Sequence, residues 1–221
     1  MHTTVVVLFT VEQILNHCHA MQNNDTECTT MQYTVRPAKE QDLDQIASLY
    51  NRSFPEHIMV HRGFLNNPEY LREKINNKDE IWAVEEENGT IRGVAALGIT
   101  RPVGLGEIER VCVDIPYRGN GVAKALCEYL TEQAVEQDLG FVESWARGCQ
   151  PGMQKTFENL GFSEVGISAR FEIIQIVDDK ERVVREKFVH YELILKPDTI
   201  KKETNFIPKV QELHEFLCSR K

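Results

Sequence analysis

From about position 33 the apolar residues follow two rhythms, one of period two and one near 3.6, and each switch between them marks a new element. Tyr33 to Arg36 alternates as a short strand closed by Pro37. A helix is predicted from about Lys39, with Leu43, Ile46, Ala47 and Tyr50 on one face. A second begins at Pro68, a residue suited to a first helical turn, and runs to about Asn76. Ile81 to Glu86 and Ile91 to Ile99 read as strands joined by Asn88-Gly89, a dipeptide that favours the two-residue hairpin. Glu107 to Ile115 is a further strand, followed by a glycine-rich turn and a helix ending near Asp138. Phe141 to Ala146 is a strand, and Pro151 to Leu160 a helix stopped by Gly161 at a C-cap position. Two long strands, about Glu164 to Val177 and Val183 to Leu195, flank the charged turn Asp178-Asp179-Lys180-Glu181.

The order β-α-α-β-β-β-α-β-α-β-β predicts an α/β (α+β) fold, with a mixed, mostly antiparallel central sheet of about seven strands flanked by helices. The domain is expected over residues 31–197. Residues 1–30 are expected to be an extension outside it. Their apolar run, Thr3 to Val11, is too short to span a bilayer, and no Lys or Arg precedes Arg36 to make a signal-peptide n-region. The tail, 198–221, is expected to form a helix with Phe206, Val210, Leu213 and Leu217 on one face. That face would dock on its own domain or on a second copy in a homodimer.

Composition narrows the class. The chain has 221 residues, 42% hydrophobic and 27% charged, an ordinary globular profile. With 25 basic and 34 acidic residues the net charge is −9, which argues against a nucleic-acid partner and leaves amines and other cations as better company. Six scattered cysteines without a C-x-x-C pair read as reduced thiols of a cytoplasmic protein. His17-Cys18-His19, with Cys28 nearby, offers no spacing that closes a tetrahedral zinc site, so no metal is expected. No membrane partner is expected either.

The most informative stretch runs from Val111 to Ala123: a strand, then Arg118-Gly119-Asn120-Gly121-Val122-Ala123, then a helix. N–H groups at a helix start lack partners and carry partial positive charge, and glycine lets a diphosphate approach them closely. A nucleotide-like pyrophosphate is therefore the expected ligand. A dinucleotide-binding oxidoreductase is one alternative, but its third glycine is missing, since Gly121 is followed by Val122-Ala123-Lys124.

Arg118 to Ala123 resembles the [Q/R]-x-x-G-x-[G/A] signature of the GNAT superfamily of acyl-CoA N-acyltransferases. Gln150 through Phe162, ending Phe157-Glu158-Asn159-Leu160-Gly161-Phe162, is similar to that family's following helix, and Tyr33 to Leu43 to its opening. The resemblance covers about Met31 to Lys196 and implies a GNAT-like fold that binds acetyl-CoA as co-substrate and transfers its acetyl group to a small-molecule or peptide amine. It places pantetheine along Val111, Cys112 and Val113, the pyrophosphate on Arg118 through Ala123, and further cofactor contacts at Gln150 and Phe157. A non-catalytic acyl-CoA sensor is the other reading.

Attack on a thioester needs a neutral amine, and at pH 7 only about one lysine-like amine in 10³ is neutral. A base is therefore useful. Glu107 and Glu109 lie two apart on one strand, so they share a side, and both precede the pantetheine segment. The two stay unseparated. Similar enzymes use a tyrosine as the acid, where this chain has Phe157. Tyr191, Cys149 or water would substitute. Cys112 is read as a small strand residue whose backbone does the work, and His190 as a strand residue facing away from Tyr191. Phe54, His57, His61, Trp145 and Arg147 are candidates for the acceptor pocket.

Overall fold

A computed structural model describes residues 34–177 and 180–199, together with 211, 212, 215 and 216. The proposed extension at 1–30 and the tail residues Phe206, Val210, Leu213 and Leu217 lie outside the described residues. The elements are β1 (Thr34–Pro37), α1 (Leu43–Ser53), a single-turn α2 (Ile58–His61), α3 (Pro68–Ile75), β2 (Glu80–Glu87), β3 (Thr90–Thr100), β4 (Leu105–Val113), α4 (Val122–Glu136), β5 (Phe141–Arg147), α5 (Pro151–Asn159), β6 (Ser163–Val177) and β7 (Lys180–Ile194). They form one seven-stranded sheet in the order β1-β2-β3-β4-β5-β7-β6. Every neighbouring pair is antiparallel except β4 and β5. No helix among the described residues is long and apolar enough to cross a membrane.

Two hydrophobic cores sandwich the sheet. On one face α4 and α5 cover Leu97, Ile108, Val142 and Leu193. On the other, α1 and α3 cover Trp82, Val84, Val94, Ala96 and Cys112. The apolar run Val94-Ala95-Ala96-Leu97 of β3 supplies both cores alternately, as a strand buried on both faces must. A fully buried ion pair lies within this framework, where Arg92 of β3 donates from Nε to Glu85 of β2 at 3.0 Å. Charge inside a sheet at that depth persists only when paired.

Three boundaries differ from the sequence expectation. β4 begins at Leu105 and ends at Val113, because Asp114 turns the chain into a 3₁₀ segment, Ile115–Tyr117, by accepting from its Ile115 N–H. β7 begins at Lys180, so Lys180 and Glu181 belong to the strand and not to the turn. The short α2 was not anticipated. His57 caps it by accepting the Met59 N–H on Nδ1 at 3.2 Å, a role for which sequence patterns favour Ser, Thr, Asp or Asn.

Candidate active site

Among the described residues the only parallel pair in the sheet has a short ladder. β4 and β5 pair from Leu105↔Phe141 to Ile108↔Ser144 and then part, although β4 continues to Val113 and β5 to Arg147. The Ser144 hydroxyl closes the fork by donating to the Ile108 carbonyl at 2.6 Å. Beyond it lies a cleft of about 450 Å³ between the end of β4, the start of α4 and one face of α5. α4 starts at Gly121 with no side-chain cap. Gly119 and Gly121 have φ of 82° and 85°, a region L side chains rarely adopt. Open N–H groups at the head of a 15-residue helix, with no Cβ over them, fit a diphosphate.

Val111, Val113, Arg118, Gly119, Gly121, Val122, Ala123 and Gln150 line this cleft together, as the sequence places them. Arg118 lines it but braces it as well, donating to the Val113 carbonyl from Nε at 3.1 Å and lying over the Phe54 ring at 5.1 Å. Asn120 belongs to the same turn without lining the cavity. Cys112 is buried against α1, and burial pushes its thiol up to about 12, so its side chain is inert and its backbone alone borders the fork. Phe54, Lys124, Met153, Lys155, Thr156 and Asn159 also line the cleft. The sequence reading missed the last five. The i, i+3, i+4, i+7 spacing of Gly152, Lys155, Thr156 and Asn159 marks one face of α5 and is the signal that could have found the last three.

Two assignments are corrected. Phe157 does not line the cleft: it is 1% exposed, in the core, between Phe162 and Tyr191 at centroid distances of 5.1 and 5.4 Å. Tyr191 is not near the glutamate pair. It shares the register row Ile108–Ser144–Tyr191, which faces the α4 core, whereas Glu107 and Glu143 face the other side. Burial, with Glu164 and Glu158 nearby, raises its phenol and makes it a poorer acid. Cys149, the other substitute acid, is exposed and its thiol donates to Glu186 at 3.5 Å.

Glu107 and Glu109 do share a side, the one opposite α4. The cross-strand register lines up Glu80, Gly98, Glu107, Glu143 and Glu192 on that face. Glu109 lies over Gly98, where an added Cβ would come within 3.4 Å of Oε1. Arg110 Nη1 stands 2.6 Å from Glu109 Oε1 and donates to Glu80 Oε2 at 2.7 Å. Glu80 also accepts from Lys74 Nζ at 3.0 Å and Trp82 Nε1 at 3.1 Å. Burial pushes the Glu109 carboxyl up to about 7. Arg110 opposes the rise, and Glu107 and Glu80 add to it.

Along the same face the Trp145 and His190 rings stack at 4.0 Å and 2°, and His190 Nε2 meets Glu143 Oε2 at 3.0 Å. His190 therefore faces away from Tyr191, as its alternation predicted. Glu143, His190 and Glu192 bring three possible ligand atoms within 4.8 Å of one another, a grouping the sequence did not reveal. Arg147 pairs with Glu186 of β7 and lies 3.5 Å from Glu56. His57 sits beside it, its imidazole pushed down by burial and by the Arg147 charge. His61 instead binds Glu181 at the hairpin, 2.6 Å away.

Known proteins agree with this geometry. The acetyltransferase (GNAT) family model matches residues 43–162. A β-lysine N(6)-acetyltransferase of Methanosarcina mazei is 27% identical over 135 residues, which is 61% of this chain and 48% of that protein; the chain thus spans about half the length of that relative. A ribosomal-protein-alanine N-acetyltransferase from Brucella melitensis superposes with a TM-score of 0.59 at 22% identity, covering 73% of this chain and 99% of the other. The dodecameric spermidine N-acetyltransferase of Vibrio cholerae gives 0.59 at 17% identity, covering 78% and 99%. At such identities the two structures speak for the fold alone. The family match takes in the glycine cradle, the fork and α5 together, and the chain belongs to the GNAT family of acetyltransferases.

Proposed function

We propose that the protein transfers an acetyl group from acetyl-CoA to a primary amine by direct attack within a ternary complex. The observation that carries this reading is the β4–β5 fork opening beside the uncapped, glycine-led start of α4. Gly119 to Ala123 would hold the pyrophosphate by main chain, Val111 and Val113 would border pantetheine, and Lys124 and Lys155 would supply positive charge at the mouth. Bound there, acetyl-CoA supplies a thioester carbonyl. Glu109, poised near neutrality, accepts a proton from the acceptor ammonium or from the attacking nitrogen, directly or through water. Neither Phe157 nor Tyr191 donates a proton to the departing thiolate. A thiol of pKa about 8.5 leaves acceptably without one.

The acceptor is read as a small cationic amine or a lysine-like side chain. Kinship with a β-lysine N(6)-acetyltransferase supports this, as do Glu107, Glu143 and Glu192 aligned on the face opposite α4. The test is isothermal titration with acetyl-CoA, using NAD as control, followed by thiol release in the presence of amines. Saturable acetyl-CoA binding and amine-dependent release are expected. Binding without release for any amine would make the protein a sensor, and no binding would remove the cleft assignment.

A further inference from the structure

Arg110 is where β4 departs from regular pairing. Val94 faces Cys112 and Ala96 faces Glu109, so β4 carries one residue more than β3 across the same span. Arg110 takes φ of 58°, the left-handed region that L side chains rarely adopt. Its carbonyl accepts the hydroxyl of Tyr50, a buried residue of α1, at 2.5 Å. In an unbroken strand, Glu109 and Arg110 would project to opposite faces. The bulge brings both to one side, where a single guanidinium nitrogen meets Glu109 and Glu80 together.

On the reading that Glu109 is the base, we infer that Arg110 is its positioning residue: by dividing one nitrogen between Glu80 and Glu109 it holds the Glu109 carboxylate in place, while Glu80 limits how much of the cationic charge Glu109 receives. The hydrogen bond goes to Glu80, and Glu109 has an ion-pair contact with the same Nη1. The Trp82 ring, 5.4 Å from the Arg110 guanidinium carbon, and Lys74 on the second Glu80 oxygen keep that division in place. The charged groups facing Glu109 are Glu107 and Arg110 from β4, Glu80 from β2 and Lys74 from α3; β3 contributes only Gly98. An undivided guanidinium would leave Glu109 ionised but weakly basic. With no guanidinium it would be protonated at neutral pH and unable to accept.

The test is the Glu109 midpoint, read from side-chain carboxyl NMR of glutamate-labelled protein, beside the pH dependence of acetyl transfer. Arg110→Asn removes the charge with a residue that tolerates positive φ. Its Glu109 midpoint is expected to move up by roughly one pH unit or more. Glu80→Gln is expected to move the midpoint down, and Arg110→Lys to keep it near that of the parent protein. Opposite shifts in the first two variants, followed by the acidic limb of the rate profile, support the inference. A midpoint unmoved in both, with activity lost equally at every pH, leaves Arg110 a merely structural role and overturns it. Should Arg110→Asn fail to fold, Glu80→Gln decides alone. The NMR midpoint needs no turnover. Loss of the base reading would appear separately, as an acidic limb that persists in Glu109→Gln.

Discussion

Glu109 is an ordinary strand glutamate in sequence and an exceptional one in place. Its carboxyl is pushed up to about 7 chiefly because the fold buries it, with Arg110 opposing the rise and Glu107 and Glu80 adding to it. On the proposal that it is the base, kcat/KM is expected to rise through about pH 7 on the acidic side as it ionises, and Glu109→Gln to lose both rate and that limb. The same group affects stability in the opposite sense. The folded state holds the proton more tightly than the unfolded chain, so stability falls as pH rises between 4.5 and about 7. Glu109→Gln is therefore expected to melt higher than the parent protein at pH 8, by at most roughly 3 kcal/mol, and to differ little at pH 4. Equal melting offsets at both values would contradict the raised midpoint. Glu85, fully buried against Arg92, is a second glutamate whose removal is informative. Glu85→Ala removes the buried carboxylate from Arg92 and leaves it the more exposed Glu87 at 2.6 Å, so it should cost up to about 3 kcal/mol in chemical denaturation. A loss below about 1 kcal/mol would show that the pair relaxes into water.

At the scale of elements, the proposed cofactor site is two strands that part and a helix that begins. Gly121→Glu puts bulk and negative charge at the head of α4 and forces a strained φ, so acetyl-CoA affinity measured by calorimetry should vanish while the fold persists. Gly93 acts on the same helix from behind. A Cβ there would meet Val122 Cγ1 at 2.5 Å and Leu126 Cδ1 at 2.9 Å, so Gly93→Ala must push the first turn of α4 outward. Weaker acetyl-CoA binding is expected, with a lowered melting temperature. Unchanged affinity would mean that the cradle tolerates the displacement. The elements were legible because each is written in local periodicity: the Asn88-Gly89 hairpin, the Pro68 start and the Gly161 stop all stand where the sequence places them. Strict alternation, however, would send Glu107, Glu109, Val111 and Val113 to one face. The bulge at Arg110 splits them, leaving the glutamates opposite α4 and packing the valines against the α4 core. No local signal announces that extra residue, since Arg is not the residue a left-handed position favours.

Across the whole molecule, ion pairs tie together elements far apart in sequence. Hydrogen bonds from Arg52 and Arg147 hold Asp114 and Glu186 below the usual carboxylate range. Asp42 and Glu80 resist burial, which alone would raise them, through Arg36 and Lys74. In all four the unfolded chain binds the proton more readily, so their stabilisation is complete above the ordinary carboxylate values and is lost as pH falls through the lower folded ones. In Glu109→Gln, which lacks the opposing contribution of that carboxyl, melting temperature is expected to hold from pH 7 to about 5 and to drop steeply below about 4. A flat profile down to pH 3 would remove these pairs from the stability argument.

The sequence alone determined the order of the strands and longer helices, the mixed sheet of about seven strands, the glycine-rich turn and the family, because period, turn chemistry and motif spacing are properties of neighbouring residues. It also singled out Glu107 and Glu109 as candidates for the base. Only the tertiary structure set Glu109 apart through burial, placed Phe157 and Tyr191 in the core, and set Arg110 between two carboxylates. Those outcomes depend on burial and on cross-strand register. Both are sums over partners remote in the chain: Glu80 lies some thirty positions from Arg110, and Tyr50 sixty.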